Sequence, residues 1–468
     1  MNGIRHAVKY LAVVLALGAI AVIPGRSAIL QDQAGQGSDR PIGDPTGTLK
    51  GPKGTKDLGS VGDTGGQADL PPAKAGLECT RSRNGGVTDT GVSATTINLA
   101  STVVQSGPGS SFLGESPIGM QAVVRKVNAA GGICGRLINL TLRDDGWDAQ
   151  RGLAFLKAFI SEEKYFAFPV VPSSEGLTAA IEAGVISSAG MPVVGSDGML
   201  RQQYQNPWVW PVATATESTM RIMARYGYQK GARCFGIVWD KFYRFGREGA
   251  EAFRDYVSSL SGARLCADVG ILPAQASYSS EIQRFNSACG GECEFVAMLL
   301  EPQTALTWVN GRPQFGTKMT SGAQTLFNEQ FAANCGKPCG GMLVWTGYNP
   351  PIGRLAGLPD VQQYANDVRQ VSPTADYYNQ FLEGSYLGMT IFVEALKRVG
   401  PDLTRERLRA VLNSESFKTD ISSRLGWSAA IRNANCSAQA FSVVVAQGSY
   451  AGFTEEQTGF ISDPTLRC

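Results

Sequence analysis

A single histidine, His6, occurs in 468 residues, and it lies near the start of the sequence. The body of the protein therefore has no imidazole, which removes Ser-His-Asp and Cys-His nucleophile arrangements and histidine-ligated zinc catalysis. Carboxylate-only chemistry of the glycosidase kind survives on composition. Its obvious candidate pair is Asp144-Asp145, but adjacent residues at a strand end point to opposite faces and do not flank one bond. Capping and solvation of a strand end account for the pair. An excess of charge of one sign is also lacking: 42 Lys and Arg are interspersed with 40 Asp and Glu, for a net charge of +2. There is thus no basic footprint for nucleic acid and no polybasic strip for anionic lipid.

Long apolar runs are scarce. One unbroken run, Tyr10 to Pro24, follows Arg5 and Lys9 and falls short of the roughly 20 residues a spanning helix needs. Residues 1–30 read as a signal peptide or an N-terminal membrane anchor. Both stay open, because Ala19-Ile20-Ala21 lies inside the run and Arg26-Ser27-Ala28 is a poor cleavage site. Gln31 to Gly76 holds eleven Gly and five Pro with no aromatic residue and no Cys, too little apolar surface to offset ordering entropy. Residues 31–86 are therefore expected to form a disordered tether.

All ten Cys lie beyond the Gly/Pro-rich stretch, and an even count in an exported chain favours disulfides. Short spacing pairs Cys289 with Cys293 and Cys335 with Cys339, and adjacent predicted strands pair Cys234 with Cys266. Cys79 with Cys134 and Cys436 with Cys468 remain by elimination. The rival is a four-Cys zinc site built from CGGEC and CGKPC.

What is present is a regular alternation of strand and helix, organised around Val127 to Gly152, VNAAGGICGRLINLTLRDDGWDAQRG. Ahead of it Met120, Val123, Val124 and Val127 form one apolar stripe of a helix opened by Ser116-Pro117 and stopped at Gly131-Gly132. Leu137 to Leu142 follow as a strand, and Asp148 caps a second helix with Leu153, Leu156, Phe159 and Ile160 inward. Before this unit comes the strand Thr96 to Val104. After it come the strand Phe166 to Val171, the helix Glu175 to Ala189 and the short strand Pro192 to Gly195. A second run of the same kind extends from the helix at Thr216 to the helix ending at Val309, and Gly341 to Trp345 and Phe441 to Ala446 read as later strands. Such alternation argues for α/β architecture with doubly wound parallel sheets, whose ligands sit beyond the carboxyl ends of the strands.

The NAAGGICGR turn leading into a strand that ends in RDDGWDAQRG resembles the first crossover of the type I periplasmic-binding-protein fold. The branch it resembles is the branched-chain amino-acid (Leu/Ile/Val) family of ABC-transporter substrate-binding proteins, in a membrane-tethered, actinobacterial-like form, over roughly Val87 to Gly459. The resemblance implies two parallel-sheet lobes joined by about three crossovers. The first lobe is expected over 87–212, the second over 213–345, a return to the first over 346–430 and a final part of the second over 431–468.

Candidate site residues follow the same order. PVVPSSEG sets the hydroxyls of Ser173 and Ser174 where a strand gives way to a helix, so hydroxyls and free N–H groups converge on an anion; an ordinary N-cap is the plainer alternative. In the family this turn holds an amino-acid α-carboxylate. The next matching turn, GSDG, offers Ser196 and Asp197 where relatives carry a small residue and a Thr; the acid meets an ammonium or caps the turn. DKFYRFGREG aligns with a family motif whose Tyr-Gly pair lies at the cleft, with Phe245 in place of the tyrosine and Tyr243 nearby. The strand EFVAMLLEP ends at Glu301, near where relatives place a second aromatic contact. Glu329 in NEQF stands near the carboxylate that pairs with the ligand's ammonium in relatives. For both glutamates a solvated surface carboxylate is the open alternative. The loop GPGSSFLG from Gly107 is not a dinucleotide fingerprint, since Phe112 replaces its third glycine; a cleft-lining loop and a surface turn both fit. Trp208 and Trp210 read as core, and Tyr348 is within reach of the cleft.

The expectation is an exported, cell-surface solute-binding protein with no catalytic residue, cofactor or metal. Its lobes close on a small molecule, an amino acid or related carboxylate or amide, and deliver it to an ABC permease. The alternatives are a ligand sensor of the same fold and a secreted carboxylate-dependent hydrolase.

Overall fold

The computed structural model describes residues 79–426 and 436–466; the signal or anchor segment, the tether up to residue 78, and Cys468 lie outside them. Among the described residues no helix is long and apolar enough to cross a membrane.

The first sheet is built from the strand Thr96–Val103, paired in parallel with Leu137–Asp144 from Thr96 opposite Leu137 to Val103 opposite Asp144. On its other side Leu99 bridges Ala167 and Phe168 bridges Val193, and Val193–Val194 pairs with Val209–Trp210, all in parallel. The expected strand Phe166–Val171 thus contributes single bridges where a full ladder was anticipated. Pro169 has no N–H to extend the pairing. Phe166, Ala167 and Phe168 are nevertheless fully buried, as strands covered on both faces must be. Asp148 caps the helix Ala149–Ser161 by accepting the Arg151 N–H at 2.7 Å. The expected helix Glu175–Ala189 is broken: Ser174–Glu182 ends before Gly184, whose φ of +69° only glycine adopts cheaply, and Val185–Ser188 forms one further turn.

The second sheet runs, edge to edge, Ser449–Glu455, Ser437–Ala446, Leu343–Thr346, Met319–Gly322, Phe295–Leu299, Cys234–Asp240, Arg264–Ile271, with Ile461–Ser462 beside Ser437–Ala446. The strands from Leu343–Thr346 to Arg264–Ile271 are parallel; Ser437–Ala446 is antiparallel to both of its long neighbours. The sheet is parallel-dominated, not purely parallel as the alternation suggested. Met319–Gly322 escaped the sequence reading because MTSG is short and half polar, with no apolar alternation to mark it.

The long helix Gln380–Val399 packs on the helix Ser116–Ala129 in the core of the first sheet. The approach is close enough that a Cβ on Gly119 would lie 2.6 Å from the Leu382 carbonyl oxygen. A second core lies against the second sheet. A third joins the two: Phe112, Trp147, Met199 and Leu200 from the first sheet's loops pack with Met220, Tyr243, Phe245 and Phe381.

Residues 79–86, assigned by composition to the tether, are tied down. Cys79 is bonded to Cys134, with Cα atoms 5.0 Å apart. The fully buried guanidinium of Arg136 donates to the carbonyls of Ser93 at 2.8 Å, Gly86 at 2.9 Å and Pro401 at 3.3 Å, and to that of Asn84. Cys234–Cys266, Cys289–Cys293 and Cys335–Cys339 are also disulfides, so the four cysteines of the rival zinc reading are consumed in pairs. Cys436 is disulfide-bonded, and its expected partner Cys468 lies outside the described residues.

Arg136→Met is expected to cost about 3–5 kcal/mol, because it leaves several buried carbonyls without a donor, and Arg136→Lys should not recover it for want of the fork geometry. Urea denaturation reads this directly; a loss below about 1 kcal/mol would show that water replaces the guanidinium there.

Candidate functional site

The turns after the first sheet's strands converge on Trp147. Gly146 and Trp147 both have φ of +63°, a conformation costing a bulky residue about 1–3 kcal/mol. Asp145 holds it there, its Oδ1 accepting the Trp147 N–H at 2.9 Å. The indole N–H then donates to Ser174 Oγ at 3.1 Å. One ring face is packed so closely on Gly109 that a Cβ there would lie 2.9 Å from the indole. Tyr243 of the second sheet stacks on the ring with centroids 4.0 Å apart, and Phe245 and Phe112 flank it at 5.6 and 5.2 Å. Trp147 is left 2% exposed. Among the proposed site residues, Ser174, Tyr243 and Phe245 are thus brought together by a tryptophan that the sequence reading did not single out. Its signal was an aromatic residue in an otherwise Asp/Gly loop.

Ser173 occupies the N-cap position of the helix Ser174–Glu182, yet its hydroxyl takes none of that helix's N–H groups. It lies beside Asp145, which is itself fully buried against Gly152 and Gly176. Asp197 neighbours Ser174, and its Oδ1 accepts the Gln203 amide at 2.9 Å and the Met199 N–H at 3.3 Å. Ser196 lines a small cavity with Pro172, Tyr348, Phe381, Gly384 and Ser385. The Ser196 hydroxyl and the Tyr348 phenol are buried with no hydrogen-bond partner among the described residues, while the Ser173 hydroxyl is directed to the Asp145 carboxyl. Hydroxyls, a helix N-terminus and a carboxyl therefore share one corner of the junction.

Glu301 is buried and caps the helix Pro302–Asn310 by accepting the Gln303 N–H at 2.7 Å and the Thr304 N–H at 2.5 Å. It also accepts Ser111 Oγ at 3.3 Å, which places the Gly107 loop in the cleft and Glu301 opposite it. The Glu329 N–H donates to Asp376 at 2.6 Å, and the neighbours of its side chain are the carboxyl of Asp376 and the phenols of Tyr378 and Tyr450; the preceding Asn328 donates to the Ser111 carbonyl at 3.4 Å. Trp208 and Trp210 lie in the first core. Asp144 takes the N–H groups of Gln105 and Gly146 at 2.9 and 3.1 Å, the strand-end role expected of it; Asp145 is buried where a solvated cap was anticipated.

Burial dominates the electrostatics. It pushes Asp197 up to about 7 and Asp145 and Asp240 up to about 6, and drives Glu383, fully buried behind Tyr348 with neither oxygen bonded, well above the usual carboxylate range. A carboxyl raised from 3.8 when folded binds its proton more tightly than in the unfolded chain, so its contribution to stability is lost as pH rises between the two values. The melting temperature is accordingly expected to fall between about pH 4 and pH 7. Asp197→Asn, which keeps the acceptor for Gln203, should flatten that slope; an unchanged slope would mean that Asp197 is charged at pH 5.

A model of the periplasmic binding protein family matches residues 96–448. No curated protein sequence matches the chain. Among solved structures it is similar to a fatty acid ABC transporter substrate-binding protein from Thermomonospora curvata, with a TM-score of 0.67, 18% identity, 79% of this chain covered and 94% of the other. A solute-binding protein of an ABC transporter from R. palustris, in complex with 4-hydroxybenzoate, gives a TM-score of 0.63, 14% identity and coverage of 79% and 97%. A putative branched-chain amino acid ABC transporter protein from Rhodospirillum rubrum gives 0.52, 18%, 76% and 99%. At such identities the structural likeness speaks for the type I fold alone, whereas the family match spans most of the chain. The chain belongs to the periplasmic binding protein family, whose members bind solutes and are not enzymes.

Proposed function

We propose that this chain is the exported, membrane-tethered receptor of an ABC importer, closing on a small solute that bears a carboxylate or amide group and delivering it to a permease. The observation that carries the reading is the corner formed by Ser173, Ser174, Ser196 and Asp197. The Ser196 hydroxyl, buried without a partner among the described residues, lines a small cavity with Asp197, and Asp197 in turn neighbours Ser174 at the N-terminus of the helix Ser174–Glu182, a setting that favours a carboxylate or carbonyl oxygen. Two of the structural neighbours bear names that point to carboxylates, a fatty acid and 4-hydroxybenzoate, and a third to amino acids. Family membership supports delivery to a permease; the apolar run and Gly/Pro-rich stretch before Cys79 support export and tethering.

Closure fits the contacts across the junction. The Arg244 N–H donates to Glu175 at 3.0 Å, and its guanidinium pairs with Glu182 at 2.8 Å, both across from the second sheet's helix Arg244–Ser259 to the first sheet's Ser174–Glu182. With the junction filled by Trp147, a solute enters only as the two sides separate and the indole yields its place. Function thus rests on the differential affinity of open and closed states.

A thermal-shift screen of amino acids, fatty acids, aromatic acids, amides and sugars tests the reading. A ligand at one hundred times its dissociation constant stabilises the fold by roughly 2.7 kcal/mol. For any hit, Ser174→Ala should weaken binding about tenfold or more through the lost charge-assisted contact, while Glu329→Gln leaves affinity unchanged. Hits confined to sugars, or a Ser174→Ala variant that binds as the parent does, would remove the carboxylate assignment.

A further inference from the structure

A groove of about 450 Å³ opens on the first sheet's side of the molecule, outside the junction. Its walls are the helix Ser116–Ala129, the later turns of the helix Gln380–Val399, and the hairpin that pairs Ser416–Thr419 with Ser422–Gly426. The two helices touch where Gly119 lies against Leu382 and Tyr386, and the groove opens beyond that contact. The first turns of Gln380–Val399 serve the junction instead: Gln380, Phe381, Gly384 and Ser385 line the small cavity beside Asp197. The two spaces share no lining residue among those described.

The floor of the groove is apolar, with Leu387, Ile391 and Phe417 at most 3% exposed and Val127 beside them. The rim is charged, and its charges are unevenly committed. Lys126 pairs with Asp367 at 3.0 Å. Arg398 pairs with Glu394 at 3.2 Å and with Glu415 at 2.7 Å, its guanidinium lying over the Phe417 ring. Asp360 accepts the Thr419 hydroxyl at 3.0 Å and the Asp420 N–H at 2.9 Å. Lys397 and Lys418 are exposed and have no carboxylate partner among the described residues.

A space of this size falls in the range of roughly 300–1,000 Å³ that small-molecule sites occupy. An apolar floor rewards a ligand with an apolar body, and lysine stems lie along such a floor while their ammonium groups stay in water, ready for a counter-charge. An organic cation would meet two uncommitted ammonium groups there, and a small inorganic anion would leave the floor wet. Going beyond the solute-binding reading, we infer that this groove is an accessory site for a small amphipathic anion, one ring system or short chain bearing a single carboxylate or sulfonate. Its apolar body rests on Leu387, Ile391 and Phe417, and its anionic end is received by Lys397 and Lys418.

The test is a fluorescence titration of the full chain with 8-anilinonaphthalene-1-sulfonate and with N-phenyl-1-naphthylamine, the same ring system without the sulfonate. The expected result is a saturable component in which the sulfonate binds about fivefold or more tightly than the neutral probe. The double variant Lys397→Glu/Lys418→Glu should weaken the sulfonate about tenfold or more and leave the neutral probe within about twofold of the parent. Should the double variant lose its cooperative melt, Lys397→Gln and Lys418→Gln are made singly, and each should weaken the sulfonate alone. Ser174→Ala, in the cleft, should leave both probes as the parent binds them. Equal affinity for the two probes, a sulfonate affinity that survives the lysine changes, or no saturable binding overturns the inference. So does a sulfonate affinity lost on Ser174→Ala, which places the probe in the cleft. The thermal-shift screen reads the solute-binding function separately, and that function stands whichever of these results is found.

Discussion

The junction depends on where Trp147 is held. Its indole is fixed by a strained backbone, by Asp145 from behind and by Ser174 at its N–H, and it is covered on one side by Gly109 and on the other by Tyr243. The strain is of the size that surrounding contacts must over-determine, and here the contacts come from both sheets. A residue in that position links the state of the cleft to the state of the site: what displaces the indole from Tyr243 also frees Ser174 Oγ. On the proposed function, opening and ligand contact become one event.

The second constraint is electrostatic. A parallel-sheet fold puts strand ends, loops and helix N-termini on the same edge, and the helix N-termini favour acidic caps such as Glu301. When two such edges close on each other, their carboxyl groups lose water together. Burial answers by pushing Asp197 up to about 7, Asp145 and Asp240 up to about 6, and Glu383 well above the usual carboxylate range. The cost of closing an empty cleft is therefore partly a cost of burying acids, which is the kind of differential energy a ligand must supply to shift a two-state receptor.

Much of the fold was legible because period and punctuation agreed. Asp148 as a cap, the Gly131-Gly132 stop and the start of the helix at Thr216 are local signals, and they sit where the chain suggested. The close-spaced cysteine pairs were equally local. Less legible were features decided by partners distant in sequence: the bridges at Ala167 and Phe168, the antiparallel edge at Ser437–Ala446, and the anchoring of Asn84 and Gly86 by Arg136. No property of GICGR announces that its arginine will be wholly buried against the carbonyls of Asn84 and Gly86.

The same division runs through the site. Residue types and their order by themselves determined that the chain has no imidazole chemistry beyond His6, that hydroxyls stand at Ser173, Ser174 and Ser196, and that two α/β halves follow a Gly/Pro-rich stretch. Only the tertiary structure decided which of them meet. It set Trp147 between Ser174 and Tyr243, turned Glu301 toward Ser111, and put Glu329 beside Asp376 instead. The physical reason is that helix caps and sheet periods are written within a few neighbouring residues, whereas the sign and dielectric of a cleft are fixed only when two surfaces remote in sequence exclude water from each other.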